Sequence, residues 1–232
     1  MEKNVILDSD QIQTEQAHFI AKVYGWMAFA LGLTGLVAYY TAQTPELLSL
    51  IFSSRFGFWI MFGLQIGIVI FLTARINKMS ANVATGAFVL YSIITGFVFS
   101  SIFLVFTMGS IASTFFITAG TFAAMSLIGY YTKTDLTSFG RIMMMALVGL
   151  IIASIVNYFM NSPTLYWITT YAGILIFTGL IAYDTQKIKE MNIIGNEGTD
   201  DDKKEAIMGA LCLYLDFINL FLLLLRLFGS RK

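Results

Sequence analysis

The sequence predicts an all-α integral membrane protein with seven transmembrane helices. Three observations predict it. Of 232 residues, 57% are hydrophobic and only 12% charged, whereas a soluble domain is about one quarter charged. So few charges cannot cover the surface of so short a chain. The apolar residues also fall into seven runs long enough to cross a bilayer, which takes about 20 residues. Finally, these runs are too long and too evenly apolar for the alternating, roughly ten-residue strands of a membrane β-barrel.

In chain order, residues 1–22, "MEKNVILDSDQIQTEQAHFIAK", read as a polar cytoplasmic tail. It holds acids and lacks the apolar centre of a signal peptide. The spans are expected at 23–42, 57–74, 82–106, 111–131, 142–160, 165–186 and 206–228, as one domain over 23–228. "TMGS" separates the third and fourth as a tight external turn, and 229–232 form a short C-terminal tail. Small residues recur inside the spans, as in "GLTGL", "TAGTFAAMS" and "TGLIAYDT"; in lipid they let helix backbones approach closely. The longest polar connection, "KIKEMNIIGNEGTDDDKKEA", reads as a solvated cytoplasmic loop. Its "DDD" lacks the ligand spacing of a calcium-binding EF-hand loop.

Orientation follows from where Lys and Arg fall. Lys3, Lys22, Arg75, Lys78, Lys133, Arg141, Lys187, Lys189, Lys203 and Lys204, ten in all, share one side. Arg55, Arg226, Arg231 and Lys232, four in all, share the other. The expectation is a cytoplasmic N-terminus and an external C-terminus in the inner or plasma membrane. An even number of spans would require one re-entrant segment.

Several function classes drop out. The net charge is zero, so nothing points to nucleic acid. The single cysteine, Cys212, allows no disulfide framework and no multi-cysteine metal site, and reads as a small packing residue. The single histidine, His18, leaves histidine-rich zinc or iron chemistry without ligands. No solenoid-type repeat is visible, and no cofactor is expected.

Two carboxylates stand where charge does not belong. Asp216 lies near the centre of span seven, in "GALCLYLDFINLFLLLLRLF", and Asp184 near the inner end of span six. Ionisable residues within spans face the bundle interior, a partner or water, and are functional by default. At about 100° per residue, Gly209 lies about 20° to one side of Asp216; on the other side Cys212 lies about 40°, Asn219 about 60° and Arg226 about 80° away. The small and polar residues form one stripe. Leu211, Phe221 and Leu225 lie opposite.

Three readings of Asp216 remain open on these grounds. It is a neutral hydrogen-bonding acid, it pairs with an arginine, or it shares a proton with Asp184. Arg226 is about 15 Å along the axis, too far for an intrahelical bond. Arg75 could reach Asp184, or could simply snorkel as an orientation-setting cation. Depth separates the acids: Asp216 lies about 15 Å into span seven, and Asp184 nearer the interface. If they meet, two carboxylates in a low-dielectric site resist double ionisation and titrate as a unit. Such a pair can be a proton sensor and, through its hard oxygens, a Ca²⁺ contact. Direct contact supports a latch; separation beyond about 8 Å without bridging water undercuts one.

"GLIAYDTQKIK" at 179–189 and "LYLDFINLFLLLLRLFG" at 213–229 resemble the sixth- and seventh-helix signatures of the Bax inhibitor-1 (transmembrane BAX inhibitor motif) family. "ARINKMS", "YSIITGFVFSSIF" and "GYYTKTDLTSFG" are similar to its bacterial branch, and the likeness spans roughly 20–230. The resemblance implies a central C-terminal helix ringed by the other six. It implies a gating aspartate pair at Asp184 and Asp216, with Arg75 stabilising the closed state against Asp184. It also implies a pH-sensitive Ca²⁺ leak whose cation path runs past Asp184, Asp216 and Asn219. A membrane protease is an implied partner, so a non-catalytic protease modulator is the alternative function. The cell-death role of eukaryotic members does not transfer to a chain of bacterial type.

Two further readings weigh less. An intramembrane aspartyl protease of presenilin type also uses an acid after "AY" and a second acid on the next helix. Here, however, Asp216 follows "CLYL" rather than Gly-x-Gly, and no Pro-Ala-Leu motif is present. A proton-coupled transporter would call for inverted repeats, and none is evident. The chain is therefore not expected to be an enzyme.

Overall fold

A computed structural model describes residues 9–52 and 55–232. The start of the expected tail, including Lys3, lies outside the described residues. The described residues form eight α-helices: α1 (Ser9–Ala42), α2 (Pro45–Phe52), α3 (Arg55–Arg75), α4 (Ala81–Val105), α5 (Met108–Tyr131), α6 (Thr137–Met160), α7 (Pro163–Met191) and α8 (Asp200–Phe228). Seven of these are long and apolar enough to span a membrane. The eighth, α2, is a short helix in the connection between the first two spans, where the sequence suggests only a loop.

Local chemistry sets several helix starts. Ser80, Thr107, Ser162 and Thr199 each accept a hydrogen bond from the backbone N–H three residues on. These are N-caps that satisfy otherwise unpaired donors of the first turn. Pro163 follows its cap at the first helical position, where a missing N–H costs nothing.

Packing centres on α8. Within the most apolar window, 67% of α8 is buried, against 6% of the second span (in α3) and none of α6. α8 packs on α7, α1, α5 and α4. α3 rests chiefly on α4, and α6 on α7. The expected ring is thus four helices in direct contact, with α3 and α6 attached outside it. Those two helices present large exposed apolar side chains such as Phe56, Ile70, Ile152 and Phe159, the surface that lipid covers.

Three expectations about polar segments change. α1 does not begin at residue 23 but runs back to Ser9, because Phe19 and Ile20 are buried in the core along with Val23. "DDD" is solvated at Asp200 and Asp201, as expected, but it is not a loop. It is the first turn of α8, and its acids are engaged: Asp200 accepts from the Ala81 N–H, Asp201 pairs with Lys204, and buried Asp202 pairs with Lys22. Acidic side chains there also complement the helix dipole. The C-terminal tail is not loose either. Ser230 and Lys232 pair with the α4–α5 turn through Thr107 N–H to Ser230 O and Lys232 N–H to Val105 O, both 3.0 Å.

Candidate functional site

Asp184 and Asp216 come together. One carboxyl oxygen of each, with Cys212 Sγ, lies within 4.8 Å of the others. At that separation the two carboxyl groups face each other, and acceptor-only carboxylates can share a hydrogen bond only when one carries a proton. Both acids are buried, at 7% and 5% relative exposure. Asp216 Oδ2 has no hydrogen-bond partner among the described residues.

Helix lengths resolve the depth problem. α7 continues to Met191 and α8 begins at Asp200, each beyond the apolar core that the sequence delimits. Asp184 is seven residues from the end of α7, and Asp216 sixteen from the start of α8. α8 therefore projects about 13 Å further at this end, and the 192–199 connection spans the offset. The far ends agree with this antiparallel register: Arg226 Nη1 donates to Thr170 Oγ1 at 3.4 Å, and Gly173 lies against Leu223.

The residues around Asp184 hold α7 from the other side. Thr185 donates to Ser126 at 3.3 Å, and Lys189 to the Tyr130 carbonyl at 3.2 Å. Gln186 accepts from the Leu136 N–H at 2.8 Å and donates to the Thr134 carbonyl at 3.0 Å. α5 and α6 approach α7 where glycine leaves room. A Cβ on Gly129 would overlap the Ala182 carbonyl, and one on Gly140 would enter the Tyr183 ring. "AYDTQK" is thus a bracket that fixes where Asp184 points.

A cavity of about 840 Å³ opens beside the acids, between α3, α6, α7 and α8. Asp184, Cys212, Asp216, Asn219, Ser154 and Arg226 contribute its polar lining. A second cavity of about 430 Å³, bounded by Asn157 and Tyr166, shares Ser154, Thr169 and Arg226 with the first. The two continue toward the Pro163 end of the molecule. In the other direction, Val23 and Ile188 crowd Gly209 so closely that a Cβ there would lie 3.1–3.3 Å from them, with Ile207 fully buried at the same level. The acids therefore sit between a largely apolar cavity, into which a few polar groups project, and an apolar plug.

The stripe deduced for α8 holds for Cys212, Asp216, Asn219 and Arg226, all on the cavity. Gly209 departs from it and packs in the plug. Asn219 donates to the Leu215 carbonyl at 2.8 Å. Cys212 is more than a packing residue, since its sulfur faces both acids. Arg75 is not brought to Asp184. It is exposed at the end of α3 and makes no ion pair among the described residues. α3 packs on α4 rather than α7, so its terminal side chain reaches solvent, as the snorkelling reading has it.

Sequence reasoning missed the polar core behind Asp216. Tyr214 is fully buried, with its hydroxyl 2.7 Å from Thr34 Oγ1, and Thr34 donates to the Ser92 carbonyl at 2.9 Å. Since Thr34 has one proton, Tyr214 is the donor between them. This relay ties α8 to α1 and α4. The only signal in the sequence was a tyrosine two residues before an intramembrane acid.

Comparison with known proteins agrees with the architecture. The family model described as "Inhibitor of apoptosis-promoting Bax1" matches residues 16–232. The inner membrane protein YbhL of Escherichia coli is 51% identical over 92% of each chain. An uncharacterized protein of Borreliella burgdorferi is 46% identical over 92% of each chain, and an uncharacterized membrane protein of Streptococcus pyogenes is 32% identical over 99% of each. A multi-pass membrane chain carrying this aspartate pair, and matched across nearly its whole length, belongs to the Bax inhibitor-1 family.

Proposed function

We propose that this chain is a pH-sensitive cation leak channel that passes Ca²⁺, with Asp184 and Asp216 as its gate. One observation carries the reading: two buried carboxyl groups with oxygens within 4.8 Å of each other, at the edge of a cavity and next to an apolar plug. Singly protonated, the pair is a hydrogen-bonded latch between α7 and α8. Doubly ionised, it repels itself and attracts a hard cation. Low pH holds the latch shut and rising pH loosens it.

The cavity side supplies what a passing cation needs. Ca²⁺ takes six to eight oxygen ligands, and two carboxylates provide too few. Asn219 and water in the cavity would complete the shell, so the ion is held loosely enough to leave. On the charge distribution read from the sequence, the cavity faces outward and the plug faces the cytoplasm. Purified protein in Ca²⁺-loaded liposomes tests the reading. Wild-type flux should rise with pH, and Asp216→Asn should remove that dependence. Equal flux for both proteins across the pH series would reject it.

A further inference from the structure

The third member of the cluster changes its ligand chemistry. Cys212 and Asp216 are four residues apart on α8 and so share one face. Asp184 approaches from α7, and all three offer a ligand atom within 4.8 Å of the others. Cys212 faces both acids and adds a sulfur donor that a carboxyl pair alone lacks. The independent sign of a ligand site is Asp216 itself. It is 5% exposed, and its Oδ2 has no hydrogen-bond partner among the described residues.

We infer that Asp184, Cys212 and Asp216 form a three-ligand site for a thiophilic divalent cation, Zn²⁺ or Cd²⁺. Thiolate sulfur selects such ions over Ca²⁺ and Mg²⁺, which take oxygen. Tetrahedral Zn²⁺, with bonds of about 2.0 Å to oxygen and 2.3 Å to sulfur, sets its ligands roughly 3.3–3.6 Å apart. From a separation of at most 4.8 Å, that spacing is reached by closing no more than about 1.2–1.5 Å, a side-chain adjustment that leaves the helices in place. The cavity beside the cluster admits the ion and leaves its fourth position to water. On binding, the thiol and the proton-sharing carboxyl pair give up their protons to the cavity water. The bound ion then bridges α7 and α8 as the shared proton does, but far more tightly. It is a blocker where Ca²⁺ is a passenger.

The blocking role rests on the leak reading; the site itself does not. Cd²⁺ chloride is therefore titrated into the purified full chain in non-ionic detergent, with no membrane gradient. Because Cys212 is the single cysteine, a Cd–thiolate charge-transfer band in the ultraviolet reports this site alone. Wild type should show a saturable band at one ion per chain, and Cys212→Ser should lose it. Asp184→Asn and Asp216→Asn should each weaken Cd²⁺ affinity by more than the about tenfold that loss of an outer-shell partner costs. Circular dichroism and gel filtration establish that each variant is folded. No band in folded wild type overturns the site, as does a band of unchanged affinity in both asparagine variants. In liposomes, Cd²⁺ should block Ca²⁺ flux in wild type and not in Cys212→Ser. If the band forms but wild type passes no Ca²⁺ at any pH, the leak reading fails and the site stands.

Discussion

Lys22 Nζ lies 2.7 Å from Asp202 Oδ2, and the two residues are 180 positions apart in the chain. The bond joins the α1 extension to the first turn of α8. Asp202 is only 1% exposed and also accepts from the Gly198 N–H at 2.8 Å. Nearby, Glu15 accepts from the Gly195 N–H, and His18 lies 3.4 Å from Glu197. Replacing Lys22 with Met leaves a buried carboxylate with only its backbone donor. That should cost about 1–3 kcal/mol, moderated because Lys22 is partly exposed. Thermal unfolding in detergent measures it; an unchanged midpoint would mean the pair contributes nothing.

Tyr214 supports α8 by a different means. Its ring meets Phe88 and Tyr91 edge-on, with centroids 5.9 and 5.8 Å away. Tyr214→Phe keeps that packing and removes the proton given to Thr34. The expected loss is about 1 kcal/mol. Thr34→Val should cost a similar amount, and the double variant less than the sum, since the two share one bond. Strict additivity would show that the hydroxyls do not interact.

Gly129 tests whether the bracket around Asp184 matters for gating. Gly129→Ala forces a methyl group against the Ala182 carbonyl. Overpacking of this kind costs about 1–3 kcal/mol and pushes α7 away from α5. Under the proposed gate, the variant should leak Ca²⁺ at a pH where wild type is closed. A variant that is less stable but keeps the wild-type pH profile would separate packing from gating.

Arg226 should act as an electrostatic barrier. It lines both cavities, with its guanidinium 4.6 Å from the Tyr166 ring centroid. A cation moving between the cavities passes this charge. Arg226→Gln should raise cation flux severalfold at low ionic strength, with a smaller gain in high salt because the charge is exposed and screened. Flux that is indifferent to the substitution at every salt concentration would route the ion elsewhere.

Much of this was legible from the sequence because lipid restricts the options so severely. Apolar length alone located the seven spans, and one wheel located the stripe of Cys212, Asp216, Asn219 and Arg226. What failed was whatever depends on how far a helix runs past its apolar core. Polar residues at 9–22, 187–191 and 200–205 extend α1, α7 and α8, and hydropathy does not register them as helix. That is why Asp184 looked too shallow to meet Asp216. Arg75 failed for another reason: a side chain at a helix end can reach either inward or to solvent, and only the packing of α3 on α4 decides. Tyr214 and Gln186 were invisible because their partners, Thr34, Thr134 and Leu136, lie far off in the chain.

The docked C-terminal residues carry a mechanical consequence. At one end α8 is tied by Lys22 and by the bond from Ala81 to Asp200. At the other, Ser230 and Lys232 are stitched to the α4–α5 turn. A rod pinned at both ends cannot slide like a piston without breaking every one of these bonds together. α3 and α6 rest chiefly on α4 and α7, outside the inner ring. Under the proposed gate, the central helix is the stator, and the walls facing lipid are the part free to swing.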